Sequence, residues 1–333
     1  MPKRFAFPVF AILIVLLAYT GYWFYARGQI AQSVAEWEAV QVAAGYEISH
    51  SPVEIGGFPY RFSVATDAVV IQAPAREGGW TIELESFRAN ALPYDFSHWI
   101  ISLGNTARLE QGGQALDFMF GDARFSVSGN GGVTQRIGAE VSAMTIQADG
   151  PASSVVTGVS DLRLSAATSE TGEMAVRVQL DEVGLAEEGI DPVLFAAFGD
   201  EITRLQADFV ISQWNELARS ADLAAWSQAD GQYTLREFHI DWGRLDMDAE
   251  GQMTLDEALR PQGRISLNLL DPEAVVDALI ETGSISQENA GAMRLVAQSA
   301  PRGENGTAVP LAFRNGGVYF GPVRLGAVGP VID

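Results

Sequence analysis

From Tyr46 onward the chain alternates apolar and polar residues in short runs, a period of two that only a half-buried β-strand satisfies. Tyr60, Phe62 and Val64 alternate with Arg61 and Ser63, and Trp80, Ile82 and Leu84 alternate with Thr81 and Glu83. Phe125 and Val127 sit between Arg124, Ser126 and Ser128, and Met174, Val176, Val178 and Leu180 between Ala175, Arg177 and Gln179. Runs that are apolar on one side and wet on the other select an antiparallel sheet over a parallel sheet buried on both faces. Gly56-Gly57, Gly78-Gly79, Gly112-Gly113 and Asn130-Gly131-Gly132 supply the turns between them.

The pattern returns in the C-terminal third. Phe238, Ile240 and Trp242 alternate with His239 and Asp241, Leu245 and Met247 with Asp246, Asp248 and Glu250, and Ile265, Leu267 and Leu269 with Ser266 and Asn268. Asn315-Gly316, between Val309–Arg314 and Gly317–Phe320, is the strongest hairpin signal in the chain. Helices are predicted in a few places. Asp191-Pro192 opens a short one through Phe198, with Asp as N-cap and Pro at the first helical position. Trp214 to Trp226 reads as a helix after a strand at Ile202–Ile211. Asp271-Pro272 caps a helix whose Val275, Val276, Leu279 and Ile280 share a face and which ends near Gly283, and another spans Ser286 to Gln298.

The N-terminus is of a different kind. Phe5 to Tyr25 contains no charged residue in 21 positions. As a helix it would be roughly 31 Å long, one hydrocarbon core. Lys3 and Arg4 precede it, which places the N-terminus in the cytoplasm and all that follows on the far side. Tyr19, Tyr22, Trp23 and Tyr25 gather at the outer end, where an aromatic belt would sit. A cleaved signal peptide would have a shorter apolar core and small residues at its end, whereas cleavage after Ala26 would put Phe24 three residues before the cut. The expectation is an uncleaved single-pass anchor over residues 1–26 with the rest exported, which in a bacterial cell means the inner membrane and the periplasm. Residues 27–44 read as an amphipathic helix, with Ile30, Val34, Trp37 and Val40 as its stripe and Gly45 as its stop, serving either as a stalk that carries the anchor outward or as a helix lying on the sheet. A β region over 45–190 and a second, helix-containing β region over 191–333 follow, and one continuous sheet through both fits equally well.

Composition narrows the chemistry. The chain carries 42 acidic and 21 basic residues among 333, a formal charge of −21, which argues against nucleic-acid partners. It has no cysteine, so disulfides, thiolate metal sites and cysteine nucleophiles are excluded. His50, His98 and His239 have no ligand spacing, and His239 beside Asp241 reads as a surface pair. No G-x-S-x-G, S-x-x-K, G-x-G-x-x-G or phosphate-loop motif is present. Asp246, Asp248, Glu250, Gly251 and Glu257 have nearly the spacing of a calcium loop, but the flanks alternate as strands and Pro261 leaves no room for the second helix. With this many carboxylates a hydrolytic pair is conceivable, though none can be singled out. No catalytic residue, cofactor or metal is expected. The aromatics are the remaining signal: Phe62, Trp80, Phe125, Phe238 and Trp242 are candidates for lining an apolar groove, against the alternative of plain core packing.

Gly56-Gly57-Phe58-Pro59-Tyr60-Arg61-Phe62 near the start, and the C-terminal FHIDWGRLDMDAEGQMTLDEALRPQGRISLNLLDPEAVVDALIETGSIS followed by NGGVYFGPVRLG, carry a resemblance. Over most of 45–330 the chain resembles a family of membrane-anchored periplasmic bacterial proteins known as a domain of unknown function. The motif positions are Gly57, Phe58, Pro59, Gly251, Gly263, Gly316, Gly321 and Pro322. More distantly, Gly251-x-Met253-x-Leu255-Asp256 with Pro261-x-Gly263-x-Ile265-x-Leu267 is similar to the C-terminal strands of AsmA-like proteins. That likeness implies a mainly β (α+β) fold, a long curled antiparallel sheet with an apolar inner face, and a role in lipid movement and envelope upkeep. It implies structural duties for the motif residues and no catalytic ones. The expected function is therefore non-catalytic binding or transfer of a phospholipid or other acyl lipid. A scaffold with a closed core that recruits envelope proteins is the alternative, and a carboxylate hydrolase the third.

Overall fold

The alternating runs and the glycines between them fold as a meander in which nearly every strand pairs with its successor. A computed structural model describes residues 3–130, 133–149, 154–282, 291, 302–303, 306–321 and 323–331. Helix α1 (Lys3–Ala43) leads into β1 (Glu47–Ser49), β2 (Glu54–Gly56), β3 (Phe62–Gln72), β4 (Thr81–Leu92), β5 (Asp95–Leu103), β6 (Thr106–Gln111), β7 (Gln114–Met119), β8 (Asp122–Asn130) and β9 (Val133–Asp149). Next come β10 (Val156–Thr168), β11 (Met174–Leu185), α2 (Pro192–Phe198), β12 (Glu201–Ile211), α3 (Trp214–Ser220), α4 (Leu223–Gln228), β13 (Tyr233–Trp242) and β14 (Leu245–Leu255). The chain closes with β15 (Pro261–Leu269), α5 (Pro272–Glu281), β16 (Arg302–Gly303), β17 (Gly306–Arg314), β18 (Gly317–Phe320) and β19 (Val323–Ala327).

All strands join one antiparallel sheet of 19 strands. β1 and β2 lie end to end along β3, β5 and β6 along β4, and β8 and β7 along β9. From β9 to β15 each strand pairs with the next, and β15 pairs with β17. The sheet is continuous across residue 190, because β11 pairs with β12 along their whole length. Among the described residues β1 and β2 have a partner only in β3, and β19 only in β18, so the sheet is open at both edges.

The register sorts the side chains by polarity. Phe62 stands opposite Ala91, then Trp99, Val127, Ile137 and Ala166 on successive strands. The same row continues through Val176, Phe209, Leu235, Gly251, Ile265 and Leu311 to Phe320. The row two residues along, from Val64 through Phe125, Val178 and Phe238 to Val309, is apolar throughout as well. On the opposite face Arg88, Glu140, Arg163, Gln179, His239 and Asp248 form a polar row.

Partway along the strands the alternation slips by one residue. On β3 it passes from Phe62 and Val64 to Val69 and Ile71, on β9 from Val141 to Met144, and on β11 from Leu180 to Val183. Ala68, Ala143 and Glu182 sit at these slips with φ of 51°, 47° and 50°. The apolar side chains on both sides of the slip pack together, Val159 and Val183 against Met144, Leu162 and Leu180. The slip thus keeps one face apolar while bending the strands, as bulges do. A β-branched residue tolerates left-handed backbone poorly. Ala143→Val is therefore expected to lower stability by about 1–2 kcal/mol, and Ala143→Gly to cost nothing, in urea unfolding.

Several sequence expectations are corrected here. The anchor and stalk segments are one unbroken helix, α1, and its contact stripe is Trp23, Ala26, Ile30, Val34 and Glu38, while Trp37 and Val40 face outward. Among the described residues no helix is long and apolar enough to cross a membrane, and the uncharged segment begins in residues 5–9, whose side chains lie outside the described residues. Tyr60 precedes β3 and is exposed, so that strand starts at Phe62. The helix expected over 214–226 breaks at Ala221, where φ is 50°, and restarts on the Asp222 N-cap. The helix expected over 286–298 lies outside the described residues. The Asp191 and Asn315-Gly316 signals hold: Asp191 accepts from the Val193 N–H at 2.9 Å, and Asn315 and Gly316 take φ of 52° and 67° between β17 and β18.

Candidate functional site

The last part of the uncharged run, within α1, is docked onto the sheet by aromatic side chains. Trp23 stacks on Phe62 at 5.0 Å between centroids and 12° between planes, and meets Phe58 edge-on at 5.4 Å. Its Nε1 donates to the Arg61 carbonyl at 3.3 Å. Tyr19 donates its hydroxyl to the Pro59 carbonyl, and Tyr22 to the Pro93 carbonyl at 2.7 Å. Three of the four residues expected as a membrane belt are thus spent partly on holding the sheet, while Tyr25 is exposed. The motif Gly57-Phe58-Pro59 is the other half of this joint. Gly57 has φ of 99°, and a Cβ there would meet the Arg61 carbonyl oxygen at 2.6 Å, so only glycine makes this turn.

At the far end of α1, Arg76 donates to the Ala44 carbonyl and Tyr46 meets Trp80 edge-on at 6.0 Å. Between the two ends, Glu38 reaches His50 with 2.8 Å between Oε1 and Nε2, and His50 Nδ1 lies 2.6 Å from the Ser51 carbonyl. The Ser51 carbonyl raises the affinity of His50 for its proton, partial burial opposes this, and Glu38 adds to the rise. Folding therefore favours charged His50. This contribution is full below the ordinary value of 6.5 and is lost as pH rises through the raised folded value. The urea midpoint should fall as pH rises above the ordinary value of 6.5, and His50→Gln should remove that part of the slope.

The apolar face is the second feature. At the β15–β18 end it is covered, since Val276 of α5 packs with Leu269, Val309 and Phe320. Phe198 of α2 covers Trp242, whose Nε1 donates to the Gly199 carbonyl at 2.9 Å. Across β8 to β12 it is left half-covered: Phe125, Val127, Val176, Val178 and Phe209 are only half-buried, and Ile137 is 42% exposed. Of the five aromatic candidates, Phe62 is fully buried in the α1 joint, Trp80 closes the far end and Trp242 is capped by α2. Phe125 and Phe238 lie in the apolar rows of the sheet. The exposed member, Ile137, was missed because selection by aromaticity passed over an aliphatic residue that alternation would have found.

The remaining motif residues are structural. Gly251 and Gly263 sit on paired strands where a Cβ would meet the Arg264 and Gln252 carbonyl oxygens at 2.3 Å and 2.1 Å. Gly321, with φ of 55°, turns the chain after β18, and Pro322 lies outside the described residues. Of the calcium-like run, Asp246 to Gly251 lie within β14, with Asp246 and Asp248 opposite Asp241 and His239, and Glu257 follows the strand's end, so that stretch is strand and not a loop around a cation. His239 pairs with Asp248 at 2.9 Å rather than with Asp241. Asp95 and Asp256 are held below the usual carboxylate range by the Ser97 hydroxyl and the Arg260 guanidinium, the opposite of what a general acid needs.

On the polar face, a cavity of about 620 Å³ opens near the starts of β5, β9 and β11, bordered by His98, Arg136, Arg177 and Arg236. Arg177 pairs with Asp208. Among the described residues Arg136 and Arg236 have no carboxylate partner.

These features define a class: a mainly β protein built on one open sheet with a single apolar face, and a long helix docked on its first edge. The chain belongs to the family described as an uncharacterized protein conserved in bacteria (DUF2125), whose model matches residues 23–329. The matched stretch starts at Trp23, which is buried against Phe62 of the sheet. No curated protein matches the chain.

Proposed function

We propose that this protein binds an acyl lipid on the half-covered apolar face, without catalysis, and that the start of α1 anchors it in the bacterial inner membrane with the sheet in the periplasm. The observation that carries the reading is the pair of apolar rows that runs unbroken from β3 to β17 and is left half-exposed over β8 to β12. A sheet with one apolar face must cover it with helices, another sheet or a ligand. Among the described residues the helices other than α1 are ten residues or fewer, and α2 and α5 serve the C-terminal half. A concave or bent apolar strip with polar groups at its ends suits an acyl chain with a headgroup. The resemblance to AsmA-like proteins supports the same ligand class.

Membrane attachment is supported by the uncharged Phe5–Tyr25 run and by Ile12 to Leu17, six consecutive residues that are 50–73% exposed. Consecutive helical residues point about 100° apart, so this run is apolar all round and no single protein face covers it. The reading is tested by photocrosslinking the full chain in vesicles with a phospholipid carrying a diazirine on its acyl chain. Adducts on Val127, Ile137 or Val176 are expected. Adducts confined to residues 5–25 would contradict the groove and favour a scaffold held at the membrane by its helix.

A further inference from the structure

The loop before β3 and the turn between β4 and β5 leave large apolar side chains in water beyond what the α1 joint covers. Tyr60 is 83% exposed and Tyr94 is 84% exposed, and Phe58, Leu92 and Phe96 are exposed beside them. Both segments flank α1 at one level, since Tyr19 holds Pro59 and Tyr22 holds Pro93. That level lies directly after the exposed run Ile12 to Leu17: from Leu17 to Tyr22 α1 rises by about 7.5 Å, a distance within the interfacial zone of a bilayer.

We infer that the loop Gly57–Arg61 and the turn Leu92–Phe96 form an aromatic collar seated in the headgroup zone of a lipid bilayer, holding the sheet upright on the membrane surface. The inference rests on the anchor reading above and adds a second, independent contact. Tyrosine, apolar in its ring and polar at its tip, is a residue such a zone selects. The same strand ends carry a cavity where Arg136, Arg177 and Arg236 face Asp95 and Asp208, a net positive spot on a chain of net charge −21 that complements lipid phosphates. From Trp23 to Ala43 α1 runs alongside β3 for about 30 Å, so the far turn at Gln111 stands well clear of the bilayer.

The chain has no cysteine, so single-cysteine variants report one place each. Full-length Leu17→Cys, Tyr60→Cys, Tyr94→Cys and Gln111→Cys are labelled with a nitrobenzoxadiazole probe in vesicles of phosphatidylcholine and phosphatidylglycerol. Nitroxide is carried either on the headgroup or deep in the acyl chain. The expected result is loss of emission at Leu17 with the deep nitroxide, loss at Tyr60 and Tyr94 with the headgroup nitroxide, and none at Gln111. Loss at Leu17 with unquenched Tyr60 and Tyr94 overturns the collar and leaves the anchor standing. Unquenched probes at all four sites overturn the anchor reading as well. Circular dichroism of each labelled variant checks that the sheet is intact.

Discussion

Phe62→Ala lowers the unfolding free energy by about 3–5 kcal/mol, the range for truncating a fully buried aromatic residue. Phe62 is 0% exposed and lies between Trp23, at 5.0 Å, and Phe96, at 5.2 Å. It is the place where helix, motif loop and sheet meet, so nothing nearby can collapse into the cavity without moving α1. Trp23→Ala should cost a similar amount, and the two losses should not add. The stacked pair couples the sites by about 1 kcal/mol in a double-mutant cycle. Hydrogen exchange should localise the damage: amides of β1 to β3 lose protection, while those of β10 to β12 keep it. If Phe62→Ala shifted the urea midpoint no more than a surface substitution, the docking of α1 onto the sheet would be wrong.

Ile137→Asp has the opposite profile. Ile137 is already 42% exposed, so the protein should lose less than about 1 kcal/mol. A carboxylate placed under an acyl chain is left without a partner, a cost of about 3 kcal/mol or more. That predicts at least a hundredfold loss of lipid affinity at unchanged thermal midpoint. Ile137→Leu should bind as the native chain does. An aspartate variant that retained lipid would place the ligand elsewhere, and one that unfolded would show that the face is core.

Much of this fold is legible in the sequence because period-two alternation is a local property of each strand. The Asn315-Gly316 hairpin and the Asp191 cap are legible for the same reason: their geometry is dictated by the residues that form them. The amphipathic stripe after residue 27 allows a helix lying on the sheet, but the docking of α1 through Trp23 is not legible. Trp23 on Phe62 is a contact between segments 39 positions apart, and an aromatic residue after an apolar run satisfies a lipid interface as well as a protein one. Nor is the phase slip, because Ala68, Ala143 and Glu182 are residue types with no preference for left-handed backbone. Reading the alternation without the slip would send Val69 and Met144 to the polar face. Aromatic side chains are a poor guide to the groove, because packing uses Phe62, Trp80 and Trp242 elsewhere. The open stretch is aliphatic, and only the cross-strand register brings Val127, Ile137, Ala166 and Val176 into one row.

Native mass spectrometry of the full-length chain, released from nanodiscs made of bacterial phospholipid, tests the central claim most directly. The account predicts a population carrying one tightly held lipid that survives activation stripping the loose annulus, and that is absent from Ile137→Asp. A native chain that emerges bare under conditions where Ile137→Asp behaves identically would contradict it, and the apolar face would then be the covered core of a scaffold.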